Sequence, residues 1–502
     1  MVNDQSPERR LLSELLAPAA VIVLASVIFG FLFNRETALS YSIGYNLYGA
    51  TRVLAGEVPY RDFHTLYPPA IVYLNAILFK AFGTFLYNAL LGVCIFKVLT
   101  TLAIYFCARK VMAPLWALSA SLYSIVWLRP NGPFKAVPMH YGSLFLALGL
   151  FFSLKYIERR KAFYLLGLGV CLGILTLFKH NIGIYASIGF ALAVICRGNP
   201  FGLKLEAIGS FVRPLAVLIV GILVPILPVL AYMHQQGALK AMARTLLFGP
   251  GEFLLSRLAA TPSPFVPFVL TLLIGGFALA LYRLRLTPAT SAIMLGGLTV
   301  LLGFFVLLAP EGPINEIIFY APLLAIISGA LLCWAAARGN EKAGQQLYAV
   351  LVVTAAAFME AFPRFAREQS IAAMAYVGLL LVSMLFLFRA PILSSLRSPT
   401  AGAIAVAALP LVLFAMGFRF FTQTFFDRGL HLKSNTELAI DRGKGVYFPS
   451  EAAQEIDRVV RFVQLKVPEG GYIFAQSYAG SSYLFLADRL NPSGAQFWGG
   501  VG

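Results

Sequence analysis

The chain has 502 residues, 59% of them hydrophobic and only 12% charged, with a mean hydropathy of +0.79. A soluble domain carries about 25% charged residues, so a soluble fold is excluded. Apolar runs of the ~20-residue length that crosses a bilayer as a helix recur throughout, without the period-two alternation of barrel strands. The chain therefore reads as an all-α polytopic membrane protein. Its net charge of +17 must be mapped onto the loops before it points to a partner, because membrane topology itself demands basic loops; no nucleic-acid partner is expected.

The amino-terminal stretch MVNDQSPERRLLSELLAPAAVIVLASVIFGFLF has no small-residue cleavage site after its apolar run, and reads as a retained first span. Counting it, the sequence divides into about thirteen spans. They lie near 16–33, 85–107, 112–128, 140–157, 163–178, 182–196, 214–233, 265–282, 290–309, 321–337, 346–361, 371–388 and 401–420. With the amino terminus inside, the inner loops hold 17 Lys and Arg residues, and the outer loops before the tail hold 12 over greater length. That bias favours an N-inside orientation in a bacterial inner membrane, with the tail outside. The outer side is still more cationic than topology requires, which suits a phosphate-bearing ligand or snorkelling side chains. Cys94, Cys107, Cys171, Cys196 and Cys333 all fall within or at the ends of spans. None can staple an outer domain, and no Cys/His spacing suggests zinc.

A long outer loop, 34–84, follows the first span. In YSIGYNLYGATRVLAG, Tyr41, Tyr45 and Tyr48 recur at helical spacing and Gly56 reads as the stop. PPAIVYLNAILFKAFG, opened by Pro68 and Pro69, predicts a second helix whose ~16 residues suit an interfacial position better than a crossing. Between the two helices, GEVPYRDFHTLYPP gathers Arg61, Asp62 and His64. Two readings of Asp62 stand: a general base for an acceptor hydroxyl, or a partner of Arg61 that holds the turn. Arg61 suits a phosphate, and His64 can serve either role near neutral pH.

Further along, FKHNIGIY places Lys179, His180 and Asn181 at the outer end of the fifth span, against the charge bias. Lys179 reads as a ligand for a lipid phosphate or as an interfacial anchor. FMEAFPRFAREQ places Glu360 near the hydrocarbon edge, with Arg364 four residues on, beyond Pro363. Either the two form a salt bridge, or Glu360 orients Arg364 toward a phosphate. Arg129, Lys135 and His140 in RPNGPFKAVPMHYG, with Glu252 and Arg257 in FGPGEFLLSRL, are weaker candidates for the same cavity. The five histidines show no ligand spacing, so no protein-held metal is expected.

The tail, 421–502, holds eight basic and eight acidic residues. PSEAAQEIDRVVRFVQLKV reads as an amphipathic helix with Ser450 as N-cap and Ile456, Val459, Val460 and Val463 as its buried stripe. GGYIFAQ and SSYLFLADR read as short strands. The tail is thus expected to be a small extracytoplasmic α/β domain of ~80 residues, with only a modest core, docked on the membrane domain of 1–420.

The order of these stretches, GEVPYRDF…YPP, FKHNIG, FPRF and a tail ending in FLADRLNPS, resembles the bacterial polytopic glycosyltransferases of the GT-C fold. That is the group around the lipid A aminoarabinose transferases and protein mannosyltransferases, and the resemblance covers most of the chain. It implies a GT-C-like enzyme that takes a sugar from a polyprenyl-phosphate donor at the outer leaflet and passes it to a glycan or lipid acceptor. No cofactor is implied, and nothing in the residues supports a divalent cation. Asp62 matches the acid of the PYRD pattern, Pro68 and Pro69 the proline pair, Lys179 and Asn181 the FK.NIG pattern, and Arg364 the FPR pattern. The chain departs from the relatives at the start of the first surface helix, where an acid gives way to Ser42 and Ile43. Asp62, or Glu36 upstream, is left to fill the role. The relatives' NPTR-like ending is met only as Asn491, Pro492, Ser493 and Gly494.

On this resemblance the donor phosphate sits among Arg61, Lys179 and Arg364 with His64 nearby. His180, Asn181, Glu360, Arg129 and Lys135 lie toward the acceptor or behind these ligands. A single displacement predicts inversion at the anomeric carbon. Two other classes remain as readings. A transporter or flippase tends to carry paired repeats and polar groups near the midplane, whereas here only Lys97 lies clearly within a span. A non-catalytic scaffold would have kept the fold after losing the acid at Ser42.

Overall fold

A computed structural model describes residues 7–36, 38–39, 41–128, 137–195, 208–248, 340–360, 367–395, 435–475 and 479–492, with isolated positions between 325 and 333. The expected spans at 265–282, 290–309 and 401–420, and most of that at 321–337, lie outside the described residues. The helices are α1 (Pro7–Leu32), α2 (Tyr41–Leu54), α3 (Ala70–Phe82), α4 (Leu86–Val111), α5 (Pro114–Leu128), α6 (Pro138–Arg159), α7 (Ala162–Phe178), α8 (His180–Ile195), α9 (Ile208–Gln235) and α10 (Leu239–Leu247). After these come α11 (Glu341–Phe358), α12 (Arg367–Ser395), the strands β1 (Asn435–Glu437) and β2 (Tyr447–Pro449), α13 (Ser450–Lys466) and α14 (Gly480–Ala487). Among the described residues, four helical stretches are long and apolar enough to cross a bilayer: Glu14–Leu32, Leu86–Val111, Pro138–Arg159 and Phe211–Gln235. Shorter apolar helices stand beside them. The protein is a multi-pass membrane protein.

Helices alternate in direction, so their polar ends gather at two poles. At one pole Lys110, in the last turn of α4, pairs with Glu158 of α6 at 3.3 Å, and Lys155 approaches the same carboxylate at 3.7 Å. There Arg160 reaches Gln345 of α11 at 2.6 Å, and Gln346 bonds the Lys110 carbonyl at 3.0 Å. Lys110, Lys155 and Arg160, three of the inner-loop cations of the sequence reading, lie at this pole. At the other pole lie the starts of α4 and α6, the end of α7 and the end of α11.

Between the poles, helices meet through glycine. A Cβ on Gly169 of α7 would fall 2.4 Å from the Leu218 carbonyl oxygen of α9, and one on Gly221 of α9 would fall 2.6 Å from the Leu166 carbonyl oxygen. Backbone-to-backbone approach of this kind supplies the dispersion contact that drives helices together where lipid removes the hydrophobic push.

The long loop after α1 folds as two helices, α2 and α3, packed on each other. Gly56 sits at φ 91° in the turn after α2, a conformation that only glycine adopts without strain. Pro69 stands at the N-cap of α3 and Gly83 at its C-cap. The described tail packs on this loop. Gly44 of α2 lies so close to α14 that a Cβ would overlap the Ser482 amide, and the Gly44 N–H donates to Ser482 Oγ at 3.1 Å. Phe485 stacks on Phe79 of α3 at 5.7 Å between centroids. The Tyr447 N–H donates to the Asn34 carbonyl and the Glu36 N–H to the Tyr447 carbonyl, both at 2.8 Å.

The tail corrects several expectations. SSYLFLADR is not a strand: it forms α14, ended by Asp488 at φ 54°. Its residues are buried on all sides, and a short continuous apolar run carries no period that separates strand from helix. Among the described residues, GGYIFAQ contributes an isolated bridge from Tyr472 to Leu490 rather than a strand. The two strands lie elsewhere, with Thr436 opposite Phe448 in an antiparallel pair. Ser450 is the first residue of α13 rather than its N-cap, a position taken by Pro449, and its hydroxyl accepts from Thr436 at 2.9 Å. The buried stripe of α13 is Ala453, Ile456, Val460 and Val463, with Val459 at its margin.

Candidate active site

The loop between α2 and α3 is built from its own polar groups. Arg52, in the last turn of α2, pairs with Glu57 at 2.5 Å, donates to the Asp62 carbonyl at 3.1 Å and lies over the Phe63 ring at 4.9 Å. Tyr60 is held at φ 69°, a left-handed conformation that a bulky side chain rarely takes. Its N–H donates to the Phe63 carbonyl at 2.8 Å and its hydroxyl to the Tyr67 carbonyl at 2.6 Å. The Tyr45 hydroxyl accepts the Leu66 N–H, and the Tyr45 ring meets Tyr67 edge-on at 6.3 Å. Each bond fixes the stretch that leads into the proline pair, and together they set the Tyr67 ring.

Asp62 and Arg61 form a two-bond pair, Nε to Oδ1 at 2.9 Å and Nη2 to Oδ2 at 2.8 Å. Asp62 also accepts the Val58 N–H at 2.7 Å, closing the turn, and Arg61 reaches the Gln236 side chain after α9 at 3.2 Å. The Arg61 hydrogen bonds, helped by the Val58 amide, hold the Asp62 carboxyl below its ordinary range. A general base works best with a pKa near the working pH, so Asp62 in this pairing is a weak base. Its side chain is 30% exposed. His64 lies on the same loop, and partial desolvation lowers its imidazole.

Glu36 is fully buried beside the bridge from Arg35 to Tyr447. It lies on the segment that ties the first span to the tail. Arg129, Lys135 and Arg364 lie outside the described residues.

The structure joins two stretches that the sequence left apart. Lys179, just past α7, pairs with Glu360, just past α11, at 3.1 Å. Its ammonium lies 4.8 Å from the centre of the Tyr67 ring, within cation–π range. FKHNIG, FME and the YPP loop therefore converge on one cation. Next to it, His180 Nδ1, Asn181 Oδ1 and Glu360 Oε2 are buried without a hydrogen-bond partner among the described residues. Sequence reasoning paired Glu360 with Arg364; the helical spacing suggested it, and only the packing of α8 against α11, seen where Gly189 meets Val352, brings Lys179 in. Tyr67 was missed as a site residue, although its place before Pro68 and Pro69 marked the spot. Among the described residues, no group of three His, Cys, Asp or Glu side chains gathers to hold a metal.

No protein-family model matches this chain, and no curated protein matches it. Its structure is similar to that of the oligosaccharyltransferase of Archaeoglobus fulgidus, solved with Zn and sulfate, at a TM-score of 0.49 and 15% identity over 94% of this chain and 62% of that one. A second structure, the oligosaccharyltransferase AglB of Archaeoglobus fulgidus with an inhibitory peptide and a dolichol-phosphate, gives 0.46 and 15% over 96% and 65%. ArnT of Cupriavidus metallidurans, bound to undecaprenyl phosphate, gives 0.33 and 12% over 81% and 88%. The chain thus spans less than two thirds of the length of the oligosaccharyltransferase chains.

Proposed function

We propose that this protein is a GT-C-like membrane glycosyltransferase that moves a sugar from a polyprenyl-phosphate donor to a glycan or lipid acceptor. The observation that carries the reading is the Lys179 site. A cation 15% exposed, at the pole away from the inner-loop basic cluster, is what an anionic lipid headgroup requires. Around it stand unsatisfied polar atoms that suit a hydroxyl-rich ligand. The motif order adds to this.

In this reading the membrane domain spans 1–420, with about thirteen spans, and a small domain follows over 421–502. The protein lies in a bacterial inner membrane with the amino terminus in the cytoplasm, so the site faces outward. A donor enters from the outer leaflet and places its phosphate on Lys179, with Arg61 and Arg364 closing from neighbouring loops. The acceptor hydroxyl attacks the anomeric carbon as the bond to phosphate breaks, and its proton passes to Asp62. Cations stabilise the charge that grows on the leaving phosphate, and a single displacement inverts the anomeric centre. If Arg61 turns from Asp62 to the phosphate, the carboxylate loses the partner that depresses its basicity.

The test is native mass spectrometry of the gently purified protein. Retained polyprenyl phosphate, or its glycosylated form, is expected, with Lys179→Gln retaining at least tenfold less. Retention of bulk phospholipid alone, even after incubation with undecaprenyl phosphate, would overturn the reading.

A further inference from the structure

We propose that Glu360 is an internal stand-in for phosphate, a carboxylate that holds the Lys179 ammonium at rest and must release it when a phosphate-bearing lipid binds. This rests on the reading of Lys179 as the cation that receives the donor phosphate. The Lys179 and Glu360 side chains are 15% and 10% exposed, and their closest atoms are 3.1 Å apart. A cation so removed from water is costly unless an anion compensates it. A site that waits for an anionic lipid therefore needs a resident anion between visits.

Three features fit Glu360 to that part. Only one of its oxygens is engaged, because Oε2 is buried without a hydrogen-bond partner among the described residues, so one ion pair holds the carboxylate in place. The face of Tyr67 covers one side of the ammonium, and Glu360 is the carboxylate that approaches it at 3.1 Å. A phosphate presents more oxygens and at least one full charge to the same group, and charge-assisted bonds to it are strong. The position also argues against Glu360 as the base. In an inverting displacement the base and the leaving group flank the sugar from opposite faces, and a carboxylate touching the phosphate's own ligand lies on the leaving-group side. Glu360 is thus a positioning residue that acts through Lys179.

The full chain in nanodiscs of zwitterionic phosphatidylcholine is titrated with undecaprenyl phosphate and, as a charge-free control, with undecaprenol. Glu360→Gln removes the competing charge and is expected to bind undecaprenyl phosphate about tenfold tighter than the wild type, with undecaprenol unchanged. The gain is expected to vanish in the Lys179→Gln background. Glu360→Asp, whose shorter side chain reaches less far, is expected to move affinity in the same direction by less, and it serves if the Gln variant does not fold. Unchanged or weaker binding by the folded variants, where the wild type prefers the phosphate over undecaprenol, would overturn the stand-in role while leaving the donor reading intact. If the wild type shows no preference for the phosphate over undecaprenol, the donor reading itself fails, and this inference with it.

Discussion

At the scale of single residues, the polar stretch GEVPYRDFHTLYPP is largely occupied with its own shape. Arg52 holds Glu57, the Asp62 carbonyl and the Phe63 face at once. Arg52→Met is expected to loosen residues 57–69 by about 2 kcal/mol, the scale of lost charged hydrogen bonds, read as faster hydrogen exchange in that segment and little change elsewhere. His64 gives the loop a pH response. Its imidazole titrates lower in the folded loop than in an unfolded chain, so the unfolded form takes up the proton first. The stability that His64 contributes is then whole above about pH 6.5 and is lost as pH falls through the lowered folded value. Asp62, also lowered, acts the same way but only in the acid range of carboxylates. Between pH 7.5 and 5.5 the loop is therefore expected to exchange faster, after correction for intrinsic rates, and His64→Gln is expected to remove the effect. The sequence showed that Arg61 and Asp62 were candidates for a pair, because adjacent opposite charges in a turn need no fold to meet. It could not show the pair of Lys179 with Glu360, whose partners are set by how two distant helices end side by side.

At the scale of elements, boundaries were readable wherever proline or glycine set them. Gly56 ends the region of α2, Pro69 opens α3 and Gly83 closes it, close to where the sequence reading put them. The strand expected at SSYLFLADR failed because α14 is buried all round, and a helix without a polar face loses its signature. The glycines of α7 and α9 were silent in sequence, since a small residue inside an apolar run looks like any other. Their weight appears in the contact. A side chain at Gly221 would meet the Leu166 carbonyl and the Gly169 backbone. Gly221→Leu is expected to force α7 and α9 apart and lower the midpoint of thermal unfolding in detergent by several degrees. Gly30, with open space around its Cβ position, gives the control: Gly30→Leu is expected to leave the midpoint near that of the parent protein.

At the scale of the whole molecule, the membrane class was legible from composition alone, because apolar length sets what a helix can cross. The convergence of three motifs on one pole was legible only as an order along the chain; its geometry needed the bundle. The attachment of the tail to the first loop has a further consequence for biosynthesis. Asn34 bonds Gly445 across 411 residues, Gly44 bonds Ser482 across 438, and Tyr48 bonds Asn491 across 443. The ribosome delivers the first loop to the membrane long before these partners leave the exit tunnel. The face of α2 that receives α14 must therefore wait, uncovered, until the 438 residues that separate Gly44 from Ser482 have been made. Packing of the first loop is thereby coupled to the arrival of α14, so a nascent protein halted before residue 480 presents α2 without its partner helix.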